Sequence, residues 1–230
     1  MPVGTAGGRY RRYLAKRGCG AQAPVLAARG DNRAMASRQA RPPSASPAAE
    51  SGPLALAFEA YARRHPEERA VAAAFAGLLG DPADPFVRER LAGHFTASAW
   101  LPDRAGTRVL LTHHRKLGIW VQFGGHADGD RDLARVALRE AEEESGLAGL
   151  RVEPEIFDLD RHWIPEHKGV PGHWHYDVRH VVHAGDSEAF VVGEESLDLA
   201  WRDIRTIAAD AAADASLRRM AGKWLARTGA

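Results

Sequence analysis

Residues 124–147 have the sequence GGHADGDRDLARVALREAEEESGL, which combines a glycine pair with a helix rich in glutamate. A double glycine precedes a helix predicted over residues 132–145, which Gly146 ends. Each helical residue turns by about 100°, so Glu140, Glu143 and Glu144 fall within an arc of roughly 100° on one face. Glu142 points in nearly the opposite direction. The helix therefore presents three carboxylates together.

Three carboxylates on one face repel each other, and a divalent cation would remove that repulsion. Oxygen ligands without thiolates or a histidine pair suit Mg²⁺ or Mn²⁺. The glycine-rich loop before the helix lets the backbone come close, so that a main-chain carbonyl can join the ligands. The alternative is a solvated acidic face, which is common on surface helices. The double glycine, the preceding Arg and the following Gly-Leu together favour the metal site.

The same stretch resembles the Nudix box of the Nudix hydrolases, whose pattern is G-x5-E-x7-R-E-U-x-E-E-x-G-U, with U an aliphatic residue. The matching positions are Gly125, Arg139, Glu140, Ala141, Glu143, Glu144, Gly146 and Leu147. Arg131 departs from the pattern, since the family has its first Glu there. That Glu mainly supports the loop, often by pairing with the Arg of the box. Either Asp130 or Asp132 substitutes for it, or the loop is rearranged and metal affinity is reduced.

The resemblance implies an α/β fold, a Nudix-type α/β/α sandwich with a mixed β-sheet. It also implies a Nudix pyrophosphohydrolase that uses Mg²⁺ or Mn²⁺. Metal-activated water would attack a pyrophosphate bond in a nucleoside diphosphate linked to another moiety. ADP-ribose-type and NDP-sugar-type substrates rank first and nucleoside triphosphates second, on their frequency in the family.

Site residues follow from the match to the box. Glu143 and Glu144 are the chief metal ligands, and Glu140 is the next ligand or the catalytic base. The Gly125 carbonyl would add an oxygen. Arg139 would orient Glu143 or anchor the loop.

Four residues outside the helix are candidates for binding substrate. His126 follows Gly125, although a structural role in the loop is the alternative. The segment HWHYDVRH alternates along a predicted strand, which places His175 and Arg179 on one face with His173 and Asp177. Its histidines could bind a transition metal, contact phosphate or form polar surface. Arg179 suits phosphate through its fork of donors, and Arg115, with Lys116, could do the same. Glu194 and Glu195 could add a catalytic carboxylate.

The rest of the chain divides by composition. Of 230 residues with net charge +1, the first 50 carry nine basic and two acidic residues, and the remainder carries 22 basic and 28 acidic. We predict a disordered basic extension over 1–53, a helical segment over 54–95 with a further short helix over 86–94, and the Nudix domain over 96–230. The basic head has three interpretations: an unstructured extension, sequence upstream of a start at Met35, or an organelle transit peptide.

Composition also limits the partners. A single cysteine excludes an intramolecular disulfide, and no apolar run is long enough to span a membrane. We expect a cytoplasmic enzyme with a small nucleotide-derived substrate and no membrane or nucleic-acid partner. Many family members dimerise, and the extra helices could serve a homodimer.

Two other functions stay open on the sequence alone. Arg131 is compatible with a non-catalytic Nudix-fold nucleotide-binding module, although retention of all three glutamates argues against it. The basic head is the only support for an RNA 5′-end pyrophosphohydrolase, since no RNA-binding motif is present.

Overall fold

The computed structural model describes residues 47–115, 118–193 and 196–229. Its helices are α1 (Pro47–Arg64), α2 (Arg69–Leu79), α3 (Leu133–Ser145), α4 (Ile204–Ala209) and α5 (Ala215–Thr228), and a short 3-10 turn covers Pro66–Glu68. Its strands are β1 (His94–Trp100), β2 (Arg108–His114), β3 (Trp120–Val121), β4 (Phe123–His126), β5 (Arg151–Ile164), β6 (His173–His183) and β7 (Ser196–Asp203).

The strands form two sheets. The larger has the order β4-β1-β6-β5, and the smaller has the order β3-β2-β7. In the larger sheet β1 and β6 are parallel, while β4 and β5 pair with them in antiparallel fashion. The predicted mixed sheet is therefore confirmed.

Helices cover both faces of the larger sheet. On one face, Val136 and Ala137 of α3 pack in an apolar cluster with Phe95 of β1. The N-terminal helices join this cluster, since the rings of Phe58 and Phe75 have centroids 6.1 and 6.2 Å from that of Phe95. The opposite face carries a second cluster, in which Trp100 and Phe157 pack with Met220 and Trp224 of α5. This arrangement is the predicted α/β/α sandwich.

Some boundaries differ from those predicted. The segment 86–94 forms turns that lead into β1 instead of a helix. Its backbone is held by loop hydrogen bonds, such as that from the Phe95 N–H to the Pro85 carbonyl at 2.7 Å. Most of the predicted basic extension lies outside the described residues, and the predicted domain limits remain predictions. Among the described residues, no helix has the length and apolar character needed to cross a membrane.

Candidate active site

The double glycine lies in a strand, which corrects the expectation of a loop. Gly124 and Gly125 belong to β4 and pair with Ser98 and Ala97 of β1. A Cβ on Gly124 would lie 2.7 Å from the Ala97 carbonyl oxygen, and one on Gly125 would lie 2.6 Å from the Glu140 carboxyl carbon. Gly124 therefore allows close approach to the neighbouring strand, and Gly125 leaves room for the Glu140 carboxylate of helix α3.

Helix α3 has defined ends. The Asp132 side chain accepts a hydrogen bond from the Arg135 N–H, which caps the first turn. Gly146 ends the helix in the left-handed conformation with φ 68°. Ala141 is buried, whereas Glu142 and Glu143 are exposed and Glu144 is half-buried. The helix therefore presents its glutamates beside β4 from a fixed position.

The predicted metal ligands lie against β4. Glu144 accepts a hydrogen bond of 3.0 Å from the Gly124 N–H. The Glu140 carboxylate occupies the space left by the missing Gly125 side chain. Glu143 has no hydrogen bond or ion pair to any of the described residues. The structure thus brings Glu140 and Glu144 to the same strand as Gly125, with Glu143 beside them towards solvent.

Arg139 connects this helix to the strand. It donates to Glu140 Oε1 at 2.9 Å and, more weakly, to the His126 carbonyl at 3.5 Å. The hydrogen bond that Arg139 donates to Glu140 raises the pKa of Arg139, which stays cationic. These contacts run to Glu140 and to the backbone of β4, and both predicted roles of Arg139, orienting Glu143 and anchoring the loop, remain predictions. Its hydrogen-bond partner on α3 is Glu140 and not Glu143.

Arg131 turns away from the box. Its guanidinium lies 3.3 Å from Asp84 Oδ2 and 4.7 Å from the centre of the Phe86 ring. Neither neighbouring aspartate takes over the family's pairing with Arg139, because Asp130 pairs with Arg135 at 2.6 Å and Asp132 caps α3. Through Arg131 the loop is thus held to the segment before β1.

His126 lies on the opposite face of β4 from the carboxylates. Successive strand residues point to opposite faces, and Gly125 faces Glu140. The His126 ring instead has its centroid 5.1 Å from those of His94 and His175. Substrate contact by His126 and His175 remains a prediction, and the two lie together.

Burial lowers the pKa of His126 to about 4 and that of His175 to about 2. Arg88 adds to the effect at His126, and the neighbouring imidazoles add to it at both residues. Burial also lowers the pKa of His94, which is 1% exposed. No sequence motif marks His94, because its position beside His175 depends on the pairing of β1 with β6.

Arg179 is part of the core. It is 2% exposed, and its guanidinium contacts Asp158 at 3.1 Å, Asp160 at 3.3 Å and Asp177 at 2.8 Å. Burial alone would lower the pKa of Arg179, but these aspartates outweigh it and raise that pKa. The predicted phosphate contact is not supported by this placement, because the side chain is buried and already paired.

The remaining predicted residues lie elsewhere. Arg115 is exposed after β2 and donates to the Ser196 carbonyl at 2.7 Å, so its substrate role remains a prediction. Lys116, Glu194 and Glu195 fall outside the described residues.

A cavity of about 240 Å³ lies away from the box, and its lining residues are Arg64, His65, Glu155, Ile156, Phe157, Lys223 and Arg227. Its long cationic side chains are paired. Arg64 contacts Glu155, Lys223 contacts Asp158 and Arg227 contacts Glu153, each at 2.7 Å. This cavity therefore offers little to attract a phosphate group.

Comparison with known proteins identifies the family. A model of the NUDIX domain matches residues 93–221, more than half of the chain. The chain therefore belongs to the Nudix hydrolase family, and the predicted family, fold class and enzyme class are confirmed. No curated protein sequence gives a significant match.

Several solved structures resemble the fold. An Ap4A hydrolase from C. elegans is 18% identical, with 59% of this chain and 97% of that chain covered and a TM-score of 0.44. A MutT protein from Methanosarcina mazei Go1 is 16% identical, with 61% and 99% covered and a TM-score of 0.49. An ADP-ribose pyrophosphatase from Streptococcus suis is 15% identical, with 59% and 92% covered and a TM-score of 0.41.

Proposed function

We propose that this Nudix hydrolase cleaves a pyrophosphate bond in a nucleoside diphosphate linked to another moiety, at the face formed by Glu140, Glu143 and Glu144. One observation carries the proposal: the carboxylates of α3 meet the backbone of β4 where Gly125 leaves room for Glu140. A side chain at position 125 would fill that space. The absence of a side chain at position 125 lets the Glu140 carboxylate and the β4 backbone contact the same ligand.

The residues present fit a hard divalent cation. Glu140, Glu143 and Glu144 supply only oxygen donors, and the Gly125 carbonyl would add another, which is the donor set that Mg²⁺ or Mn²⁺ prefers. When bound, such an ion would neutralise pyrophosphate charge and lower the pKa of a water molecule. The exposed Glu143 marks the side from which the ion and the substrate would enter.

The side chains of the box have distinct roles. Glu144 fixes β4 through the Gly124 N–H and would be a chief ligand with Glu143. Glu140 is held by Arg139, so its carboxylate has a set direction and would act as a further ligand or accept the proton of the attacking water. Arg139 keeps helix and strand together through the His126 carbonyl.

The test is a substrate panel with the full chain and Mg²⁺: ADP-ribose and NDP-sugars first, then nucleoside triphosphates, with products separated by chromatography. The reaction is run in ¹⁸O-labelled water. We expect two phosphorylated products from ADP-ribose or an NDP-sugar, and the label in a phosphate group, because water attacks phosphorus. Ligand-induced melting shifts without any product across the panel would overturn the proposal in favour of a binding module.

RNA with a 5′-triphosphate is a separate arm of the same assay. Deletion of residues 1–50 distinguishes the alternative function, since an RNA enzyme that uses the basic head would lose salt-sensitive RNA binding on deletion. We expect turnover of the small substrates to be unchanged by that deletion.

A further inference from the structure

Five histidines gather at one end of the larger sheet, on the face opposite α3. Strand register explains the gathering: His94 is opposite His175 in the β1–β6 pair, and His162 is opposite His175 in the β5–β6 pair. His126 and His173 complete the group, with ring centroids 5.1 and 5.0 Å from that of His94. One ring nitrogen from each of His94, His126 and His175 lies within 4.8 Å of the others.

Hydrogen bonds fix the tautomers of three of these rings. Nδ1 of His94 lies 3.2 Å from the Arg90 carbonyl oxygen, and Nδ1 of His173 lies 2.8 Å from that of Pro171. A carbonyl oxygen only accepts, so each Nδ1 carries the proton and each Nε2 has a lone pair. His162 does the same with its Nδ1, which lies 3.1 Å from an Asp160 carboxylate oxygen.

The second ring nitrogen of His94, Nε2, is buried and makes no hydrogen bond to the described residues. A buried polar atom left unpaired costs about 1–3 kcal/mol. That cost is removed if the lone pair binds an electron-pair acceptor at the cluster.

This pattern is that of histidine ligands to a metal. Such ligands donate their second N–H to a carbonyl or carboxylate, which orients the ring towards the ion. His173 Nε2 and His175 Nε2 are 3.2 Å apart and share a hydrogen bond, whose proton a bound ion would displace. Two imidazole nitrogens bound to one tetrahedral Zn²⁺ at about 2.0–2.1 Å would lie about 3.3 Å apart, which is close to this separation.

We propose that His94, His126 and His175, with His173 as a fourth donor, bind one divalent transition ion of the zinc type, at a site separate from the carboxylate face of α3. Imidazole nitrogens suit Zn²⁺, Cu²⁺ and Ni²⁺, whereas Mg²⁺ and Mn²⁺ prefer oxygen. The two faces of β4 would therefore select different ions. The ion would bridge β1, β4 and β6 and stabilise the folded chain. This site does not depend on the proposed hydrolysis.

The test uses the full chain, freed of metal by a chelator and then titrated with Zn²⁺ in excess Mg²⁺. Calorimetry measures affinity and stoichiometry, melting measures stabilisation, and Co²⁺ serves as a spectroscopic probe of tetrahedral nitrogen ligands. We expect one Zn²⁺ per chain and a higher melting temperature. Because His126 and His175 are only half-buried, His126→Gln and His175→Gln should fold, and each should weaken Zn²⁺ binding by at least about 100-fold.

Two control variants make the result specific. His113→Gln removes a histidine that stacks on Trp120 outside the cluster, and we expect it to leave Zn²⁺ binding unchanged. The double variant Glu143→Gln/Glu144→Gln should likewise leave Zn²⁺ binding unchanged. Zn²⁺ binding that survives both cluster variants, or that is lost with the glutamate pair, would overturn the proposal, as would an absence of Zn²⁺ binding by the wild-type chain.

Discussion

The two adjacent glycines of β4 should respond to alanine in opposite ways. In Gly124→Ala the new Cβ would lie 2.7 Å from the Ala97 carbonyl oxygen and 2.9 Å from the Ser98 Cα, both backbone atoms. Carbon atoms pack best at about 3.5–4.0 Å, so β4 would have to move by about 1 Å. Overpacking of this kind costs about 1–3 kcal/mol in the free energy of unfolding.

In Gly125→Ala the new Cβ would meet the end of a flexible side chain, 2.6 Å from the Glu140 Cδ. The carboxylate can turn aside, so we expect the free energy of unfolding to change by no more than about 0.5 kcal/mol. Displacing a reacting group by about 1 Å can cost about 100-fold in rate. Gly125→Ala should therefore fold normally and lose about 100-fold in kcat.

Urea unfolding and steady-state kinetics with Mg²⁺ measure the two effects separately. Gly222→Ala is the matched control. Gly222 is exposed in the middle of α5, and a Cβ added there would have no atom of a neighbouring element within 4 Å. This substitution should stabilise the chain by about 0.8–1 kcal/mol. A fully active Gly125→Ala enzyme, or a Gly124→Ala chain as stable as wild type, would refute this reading of the two glycines.

Three further predictions concern charged side chains. Arg139→Gln removes the donor that orients Glu140 and should weaken the apparent affinity for Mg²⁺ by about 10–100-fold, as measured by titrating the rate with Mg²⁺. Asp160 has a pKa held well below its ordinary value because nearby guanidinium groups outweigh burial, so its stabilisation is complete above about pH 4 and is lost as pH falls below it. Asp160→Asn should flatten that acid-induced loss in urea unfolding. Arg131→Glu replaces the ion pair with Asp84 by two like charges and should lower the free energy of unfolding by about 1 kcal/mol.

Each of these has a contradicting outcome. Unchanged Mg²⁺ dependence in the Arg139 variant would mean that Glu140 is oriented by something else. Parallel stability curves of wild type and Asp160→Asn between pH 5 and pH 3 would remove Asp160 as a source of acid sensitivity. A gain in stability with glutamate at position 131 would mean that the loop takes up the family's arrangement once the family residue returns.

The local part of the fold could be predicted from the sequence. The helix predicted over residues 132–145, with its end at Gly146, is placed by the structure at Leu133–Ser145. The carboxylate face follows from spacing alone. Mistakes began where pairing between distant strands decides the outcome. The double glycine suggested a loop, because a sequence does not show that Ser98 and Ala97 come to lie beside it.

Burial is the second property that the sequence pattern does not show. Arg179 stood on a polar strand face and suggested a phosphate contact, but three aspartates from β5 and β6 enclose it. The histidine pair of β6 suggested several functions, and the decisive neighbour, His94, lies 81 positions before His175. Such groupings depend on register, which the sequence pattern does not determine.

The comparison of Glu144→Gln with Glu142→Gln tests whether the carboxylates of α3 that face β4 form the active site. Both variants remove one negative charge from α3, but Glu144 faces β4 and Glu142 is exposed on another side of the helix. The measurement is kcat with Mg²⁺ on the best substrate of the panel. We expect Glu144→Gln to lose at least about 100-fold while Glu142→Gln stays near wild type. Equal activity of Glu144→Gln and wild type would contradict the assignment of the active site.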